Sequence, residues 1–294
     1  MPRSASPGAL RPLLEALESA DALDGVAGKV AETVRNVIPH GPIKDALSGT
    51  DLGHSLHPLL TDVVIGSFVS ATLLDVLGGD DDGSAAERLI GVGIAAYPAT
   101  AASGANDWAD SEIADPTVRR VGLVHAGVNA TAFALYTASL AARRSGATGR
   151  GKLLAMAGTG VLAAGGYLGG HMAYAQGVGP NQTAFDPGPD EWSEVDASGL
   201  EDDQMKSVVA GETPVALIRH RGHMHALHDR CSHRGCSLAG MGELDGEVVE
   251  CGCHGSRFRL RDGTVERGPA FAPQPVYEVR ESDGKVEVRL PESG

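Results

Sequence analysis

All four cysteines of this 294-residue chain fall in two short boxes, Cys231-Ser232-His233-Arg234-Gly235-Cys236 and Cys251-Gly252-Cys253-His254-Gly255-Ser256. The pattern is C-x-H, seventeen residues, then C-x-x-H, with one further cysteine in each box. Two thiolates and two imidazoles at this spacing suit two chemistries. One is a [2Fe–2S] centre in which two histidines replace two cysteines on one iron. The other is a tetrahedral Cys2His2 zinc site. Spacing alone leaves both open. The flanks favour the iron–sulfur centre, because Gly235 and Gly255 let the backbone fold tightly around an inorganic core and Ser256 offers a hydroxyl toward a bridging sulfide.

These boxes resemble those of the Rieske iron–sulfur family, over roughly Trp192 to Leu290, and Gly268-Pro269-Ala270 looks like the family's proline loop. The resemblance implies that Cys231 and Cys251 hold one iron and His233 and His254 the other, with Ser256 beside the cluster. It also implies a disulfide between Cys236 and Cys253, the mark of the high-potential branch that oxidises quinol; Rieske ferredoxins that feed oxygenases usually lack that pair. A disulfide implies in turn an oxidising compartment. Two positions depart from the quinol-oxidising pattern. Phe258 stands where that branch has a Tyr hydroxyl bonded to a cysteine sulfur, and Arg234 stands where it has a Leu against the quinol pocket. Hydrogen bonds to the sulfurs tune the potential, so an upper-middle potential is expected.

The rest of the chain must position this centre. Net charge is −14, with 38 acidic against 24 basic residues, which argues against a nucleic-acid partner. Residues 1–50 show no apolar run of signal-peptide length. Pro2, Pro7, Pro12, Pro39 and Pro42 punctuate them, and Leu13-Leu14-Leu17 and Val26-Val30-Val34 mark short amphipathic helices, expected to be interfacial. Four apolar stretches follow, at about 59–78, 89–105, 121–142 and 153–175. Each approaches the ~20 residues needed to cross a bilayer. The third contains no Asp, Glu, Lys or Arg, and the fourth has none from Leu153 to Phe185. A soluble bundle needs a polar face on every helix, so a membrane bundle is the reading, with Gly165-x-x-x-Gly169 and Gly166-x-x-x-Gly170 permitting close packing.

Gly53-His54-Ser55-Leu56-His57-Pro58-Leu59, Ser103-Gly104-x-x-Asp107-Trp108, His125 and His171 resemble a bacterial four-helix membrane-domain family of unknown function, covering about 50–180. An up-down-up-down order puts His54, His57, Asp107, Trp108, His125 and His171 toward one end of the bundle. Ionisable groups at such places are functional candidates, so His57, His125 and His171 are candidates to bind haem or another metal, or a quinone. Asp62 and Asp75 are expected at the interfaces. Arg88, Arg143, Arg144, Arg150 and Lys152 at the other end outnumber Lys44, Arg119 and Arg120, which favours that other end for the cytoplasm. Arg143-Arg144 is also a weak candidate for a twin-arginine export signal.

In the C-terminal third, alternating runs at Val215–His220, Met224–His228, Val248–Cys251, Arg257–Leu260, Val276–Arg280 and Val286–Leu290, with turns at Asp262-Gly263 and Asp283-Gly284, predict an all-β domain. His220, His223, His225 and His228 are explained by strand alternation more readily than by a second metal site. The expected architecture is therefore α plus all-β: an amphipathic segment (1–52), a four-helix transmembrane bundle (53–176), a Pro/Gly linker (177–191) acting as a semi-flexible tether, and an antiparallel β Rieske domain (192–294). The expected function is a membrane-anchored one-electron relay carrying a [2Fe–2S] cluster, an electron-transfer component rather than a stand-alone enzyme, with no separate catalytic residue. It would lie in lipid as a multi-pass protein of the bacterial cytoplasmic membrane, cluster domain outside, with a redox protein or quinone as partner, as a homo- or hetero-oligomer. Rival readings are a redox sensor or assembly factor, and a ferredoxin-like donor to an oxygenase.

Overall fold

The computed structural model describes residues 10–79, 82–113, 115–282 and 284–292; Pro2, Pro7 and Asp283 lie outside these. The chain forms two compact units, Met1–Ile38 with His57–Val178, and Pro39–Leu56 with Gly179–Gly294.

The first unit is helical. Helices α1 (Arg11–Glu18) and α2 (Asp24–Val37) precede, in sequence, the gap filled by α3 (Pro42–Ser48) of the other unit. Then come α4 (Leu56–Leu77), α5 (Gly83–Ser111), α6 (Pro116–Arg144) and α7 (Thr148–Tyr174). The start of α6 is fixed locally. Asp115 accepts the Thr117 N–H at 2.8 Å and Pro116 occupies the first turn, where its missing N–H costs nothing. Helices α4, α6 and α7 are long and apolar enough to cross a membrane, and no more than 28% of any of these apolar windows is buried inside the protein. Their outward faces are therefore apolar too, which is what lipid requires. Helix α5, with Pro98 in its interior and Asn106, Asp107 and Asp110 in its last turns, is not among these three.

Small residues let the bundle close. Phe68 stacks on Tyr136 with ring centroids 3.9 Å apart, and each ring lies on a glycine, Gly93 and Gly158, whose Cβ would meet it at 2.4 and 2.9 Å. The Tyr136 hydroxyl is satisfied by Thr72 at 3.0 Å and Thr159 at 2.7 Å. Asp75, in the last turn of α4, has its side chain buried and ion-paired with Arg143, itself fully buried. Arg143 is thus a bundle residue, neither a loop charge nor half of an exposed export motif; sequence distance hid its partner 68 residues away. Asp62 is exposed. Helices α1 and α2 fold onto the bundle. Ala27 and Ala31 pack with Trp108, Ala109, Val118, Val121 and Met172, while Arg120 grips Asp24 at 2.6 Å and Arg35 reaches Glu112 at 2.8 Å. Arg119 also pairs with Glu112.

The second unit is an antiparallel β domain. One sheet has the order β1-β10-β9-β4-β3-β2, built from β1 (Ser193–Val195), β2 (Gln204–Ala210), β3 (Thr213–His220), β4 (His223–His228), β9 (Val276–Ser282) and β10 (Lys285–Arg289). The other has the order β5-β6-β7-β8, from β5 (Glu243–Asp245), β6 (Val248–Glu250), β7 (Arg257–Arg259) and β8 (Val265–Arg267). A short helix α8 (Leu238–Met241) precedes β5. Strand β3 divides two cores by its period of two: Val215 and Leu217 join Val286 and Val288, while Ala216 and Ile218 join Cys231, Cys251 and Phe258.

The expected tether is largely part of this domain. Gln182 N–H donates to Ser232 O at 3.0 Å, Thr213 donates to Asp186 at 2.7 Å, and Leu290 N–H donates to Pro189 O at 2.8 Å. Phe185 takes no part, being 97% exposed. Helix α7 ends at the left-handed Gly177, where the Val178 N–H returns to Met172 O at 2.9 Å.

Candidate metal centre

Two loops of one design converge at the end of the second core. In the first, Cys231 N–H donates to Cys236 O at 2.8 Å and Gly235 N–H returns to Cys231 O at 2.8 Å. In the second, Cys251 N–H donates to Ser256 O at 2.8 Å and Gly255 N–H returns to Cys251 O at 2.9 Å. Each loop thus folds back on its cysteine, and the fifth residue needs a left-handed backbone, φ +78° at Gly235 and +69° at Gly255. A disulfide between Cys236 and Cys253 joins the loops, leaving Cys231 and Cys251 as buried thiols. Although the Cys251 sulfur lies within 4.8 Å of the bridged pair, sulfurs already in a disulfide offer no thiolate.

Asp229, buried at the root of the first loop, accepts from Ser207 at 2.8 Å, Ser237 at 2.7 Å and the Ala239 N–H at 2.7 Å. Gln274, 1% exposed, donates to His228 O and Arg230 O at 2.6 Å and accepts the Ser232 N–H at 2.9 Å. Arg267 ties the second loop, donating to Gly255 O and to Glu250, both at 2.8 Å. Ser256 Oγ accepts the Ala270 N–H at 3.0 Å. The serine thereby fixes the Gly268-Pro269-Ala270 loop and keeps its own proton to donate elsewhere.

The chemistry of the convergent groups is that of a thiolate–imidazole site. The His233 and His254 rings meet edge to face with centroids 5.0 Å apart, and both Nδ1 atoms are buried without a hydrogen-bond partner. Buried nitrogens are rarely left so unless an ion or a water takes them. Burial first, then the charge of Arg234, holds His233 well below the ordinary histidine range, so it stays neutral, the ligating form. The two thiols share a hydrogen bond, which holds the proton on Cys231 and pulls Cys251 down to about 7. On these two loops the two imidazoles thus meet each other, and the two thiols meet each other. Phe258 is fully buried among them.

Among the described residues, no three of the other histidines bring ligand atoms together. His220 bonds Asp203 at 2.5 Å, His228 is buried against Asp186 at 3.2 Å, and His223 is exposed. In the helical unit His171 bonds Glu18 at 2.9 Å.

Sequence reasoning missed one neighbour entirely. Helix α3 and its flanks belong to the β unit and lie on the loops: Thr50 donates to Ala270 O at 3.0 Å, Lys44 is 3% exposed, and a Cβ at Gly255 would meet the His40 ring at 2.9 Å. Burial raises the Asp45 carboxyl above its usual range, and the Gly268 N–H opposes that rise. Pro42 and the left-handed Gly49 mark this helix in the sequence; nothing local marks what it docks on.

Residues 191–278 match the model of the Rieske [2Fe-2S] domain. The anthranilate 1,2-dioxygenase ferredoxin subunit of Burkholderia cepacia is 34% identical over 101 residues, covering 34% of this chain and 93% of the relative. The chain belongs to the Rieske [2Fe-2S] family. Ferredoxin CarAc of Metapseudomonas resinovorans is 37% identical over 26% of this chain and 72% of its own. The cytochrome b6-f complex iron-sulfur subunit of Chlorobaculum tepidum is 32% identical over 26% of this chain and 40% of its own. Residues 53–182 match a second model, described as a predicted membrane protein (DUF2231). This Rieske protein is therefore membrane-associated and carries a [2Fe–2S] cluster with an electron-transfer role, and the orphaned Nδ1 atoms and paired buried thiols fit that cluster.

Proposed function

We propose that the protein is a membrane-anchored one-electron relay in which Cys231 and Cys251 hold one iron and His233 and His254 the other. The observation that carries this reading is that two imidazole Nδ1 atoms are buried without a hydrogen bond on the same disulfide-joined loops as two buried thiols. The cluster supplies reversible uptake of a single electron. The protein holds His233 neutral, keeps water from the sulfurs by burying both cysteines, and braces the loops through Asp229, Gln274 and Ser256. The Cys236–Cys253 bridge supports an extracytoplasmic β domain on a multi-pass protein of the bacterial cytoplasmic membrane, with a redox protein or quinone as partner. A second reading, electron delivery to an oxygenase, draws support from the relatives that are dioxygenase ferredoxin subunits.

The test is composition and magnetic resonance on the purified full chain. Two irons and two sulfides per chain are expected, with the low average g value of a histidine-ligated cluster after reduction. His233→Ala and Cys251→Ser abolish the signal, and His225→Ala leaves it. Zinc without iron from iron-replete cells overturns the assignment.

A further inference from the structure

The helical unit repeats one device. On α4, His57 Nδ1 lies 3.0 Å from Thr100 O of α5, and its ring rests on Gly104, four residues further on, where a Cβ would stand 2.5 Å from the ring. On α6, His125 Nδ1 lies 2.9 Å from Gly165 O of α7, and its ring rests on Gly169, again four residues on, where a Cβ would stand 3.0 Å away. Two successive helical hairpins thus each carry a histidine aimed at a backbone carbonyl, with a glycine one turn beyond to make room for the ring. The residues share a level. At about 1.5 Å per residue, Thr100 lies ~16 Å from the end of α5, Gly165 ~14 Å from the end of α7 and His125 ~14 Å from the start of α6. The two rings are near enough to interact electrostatically.

The hydrogen bonds decide the chemistry. A carbonyl oxygen only accepts, so each Nδ1 carries its ring's proton and each Nε2 carries a lone pair. Ser103 Oγ, 3.2 Å from His57 Nδ1, already donates to Thr100 O at 2.9 Å. Asn129 Nδ2, 3.3 Å from both nitrogens of His125 and 2.8 Å from His125 O, is only a donor, which agrees with a lone pair on Nε2. Imidazoles locked this way cannot donate to the carbonyl oxygens of an oxidised quinone. They can ligate a metal, and a backbone acceptor on the far nitrogen is the usual means of orienting such a ligand. Among the described residues the helical unit brings no group of three or more His, Cys, Asp or Glu ligand atoms together. Two imidazoles alone leave a bare ion under-coordinated, whereas a metal already held in the plane of a macrocycle needs only axial ligands.

We propose that His57 and His125 are the two axial ligands of an iron porphyrin in the helical unit. His171, committed to Glu18 through Nε2, is not a ligand. The proposal does not depend on how the iron–sulfur cluster is held, and its test reads a different chromophore.

Full-length protein extracted in detergent from haem-replete cells is assayed by pyridine haemochromogen and by absorption and magnetic resonance of the oxidised and reduced forms. The expected result is about one haem per chain with a low-spin, bis-imidazole spectrum. His57→Ala and His125→Ala each either lower haem content about tenfold or more or convert the remaining haem to high spin. His171→Ala changes neither. Cys251→Ser loses the iron–sulfur signal and keeps the haem. Gly169→Ala retains both histidines but crowds the His125 ring, and alters the spectrum without removing either ligand. To separate ligand loss from misfolding, His57→Ala/His125→Ala protein with wild-type helical content is titrated with haemin and does not bind it. Wild-type protein that neither contains haem nor binds added haemin overturns the proposal. So does unchanged low-spin haem in both single variants, or a stoichiometric metal on these histidines without porphyrin.

Discussion

Replacing Ser256 with alanine separates two roles that one hydroxyl fills. Ser256 is fully buried, and its Oγ accepts the N–H of Ala270, itself fully buried, at 3.0 Å. Alanine cannot accept that proton, and a buried donor left unsatisfied costs about 1–3 kcal/mol. The same oxygen keeps its own proton, which in the proposed site points to a bridging sulfide. A hydrogen bond to a charged acceptor is worth about 1.5–3 kcal/mol, and the reduced cluster is the more negative form. With about 1.4 kcal/mol equivalent to 59 mV for one electron, the potential falls by about 60 mV if half to nearly all of that bond is gained on reduction, with a ceiling near 130 mV. The assay is a redox titration followed by magnetic resonance, alongside a thermal melt. Both stability and potential are expected to fall. If stability falls and the potential stays within ~10 mV, the hydroxyl is only a strap for the proline loop and the electrostatic reasoning is refuted. Phe258→Tyr is the opposite arm: it adds a hydroxyl in the same core and is expected to raise the potential.

Breaking the buried Asp75–Arg143 pair from one side, by Arg143→Met, is expected to cost about 3–5 kcal/mol, most of which Asp75→Leu in the same chain recovers; melts in detergent measure both. Cys236→Ser/Cys253→Ser removes a crosslink spanning 17 residues, worth about 3 kcal/mol on loop-closure arguments, and shifts the denaturant midpoint accordingly. Burial depresses His228 below its ordinary pKa, against the pull of Asp186. The unfolded chain then binds the extra proton near pH 6.5, so this contribution is complete above that pH and is lost as pH falls below it; melts from pH 8 to 5 show the slope, and His228→Gln flattens it. For orientation, Ile113→Cys, 54% exposed where Ser111 is buried, is expected to react with an impermeant thiol reagent outside intact cells and Ser145→Cys is not; the reverse pattern inverts the topology.

What could be read in the sequence follows from how local each signal is. The six expected strands correspond to β3, β4, β6, β7, β9 and β10, because each carries its own alternation. Strand β2 escaped notice: Lys206 and Ser207 interrupt its pattern, and it lies at the edge of its sheet. Strands β1, β5 and β8 also escaped; they are no shorter than β6 and β7, but those two flank the second cysteine box. The cysteine and histidine boxes were legible because each loop closes on itself within six residues. Asp229 and Gln274 were not, since Gln274 serves carbonyls 44 and 46 residues away. Arg143 looked like a loop charge for the same reason. Gly177 marks the end of α7 in the sequence, but the prolines after it cannot report what their neighbours bond to.

The histidines of the two units show why residue type alone leaves function undecided. An imidazole has two nitrogens, and the backbone determines which one is available. In the cluster loops, the cysteine N–H and the glycine N–H four residues on close each turn, and the Nδ1 atoms of His233 and His254 are buried without a hydrogen bond. In the bundle, carbonyls of Thr100 and Gly165 occupy Nδ1, and the far nitrogen carries the lone pair. His171 has its far nitrogen on Glu18, and the same side chain becomes a tether for α1. A backbone acceptor leaves no trace in the residue alphabet, so the sequence presents these five histidines as equals. Their hydrogen bonding sorts them into proposed cluster ligands, proposed axial ligands and a structural contact, and each assignment can be tested without disturbing the other two.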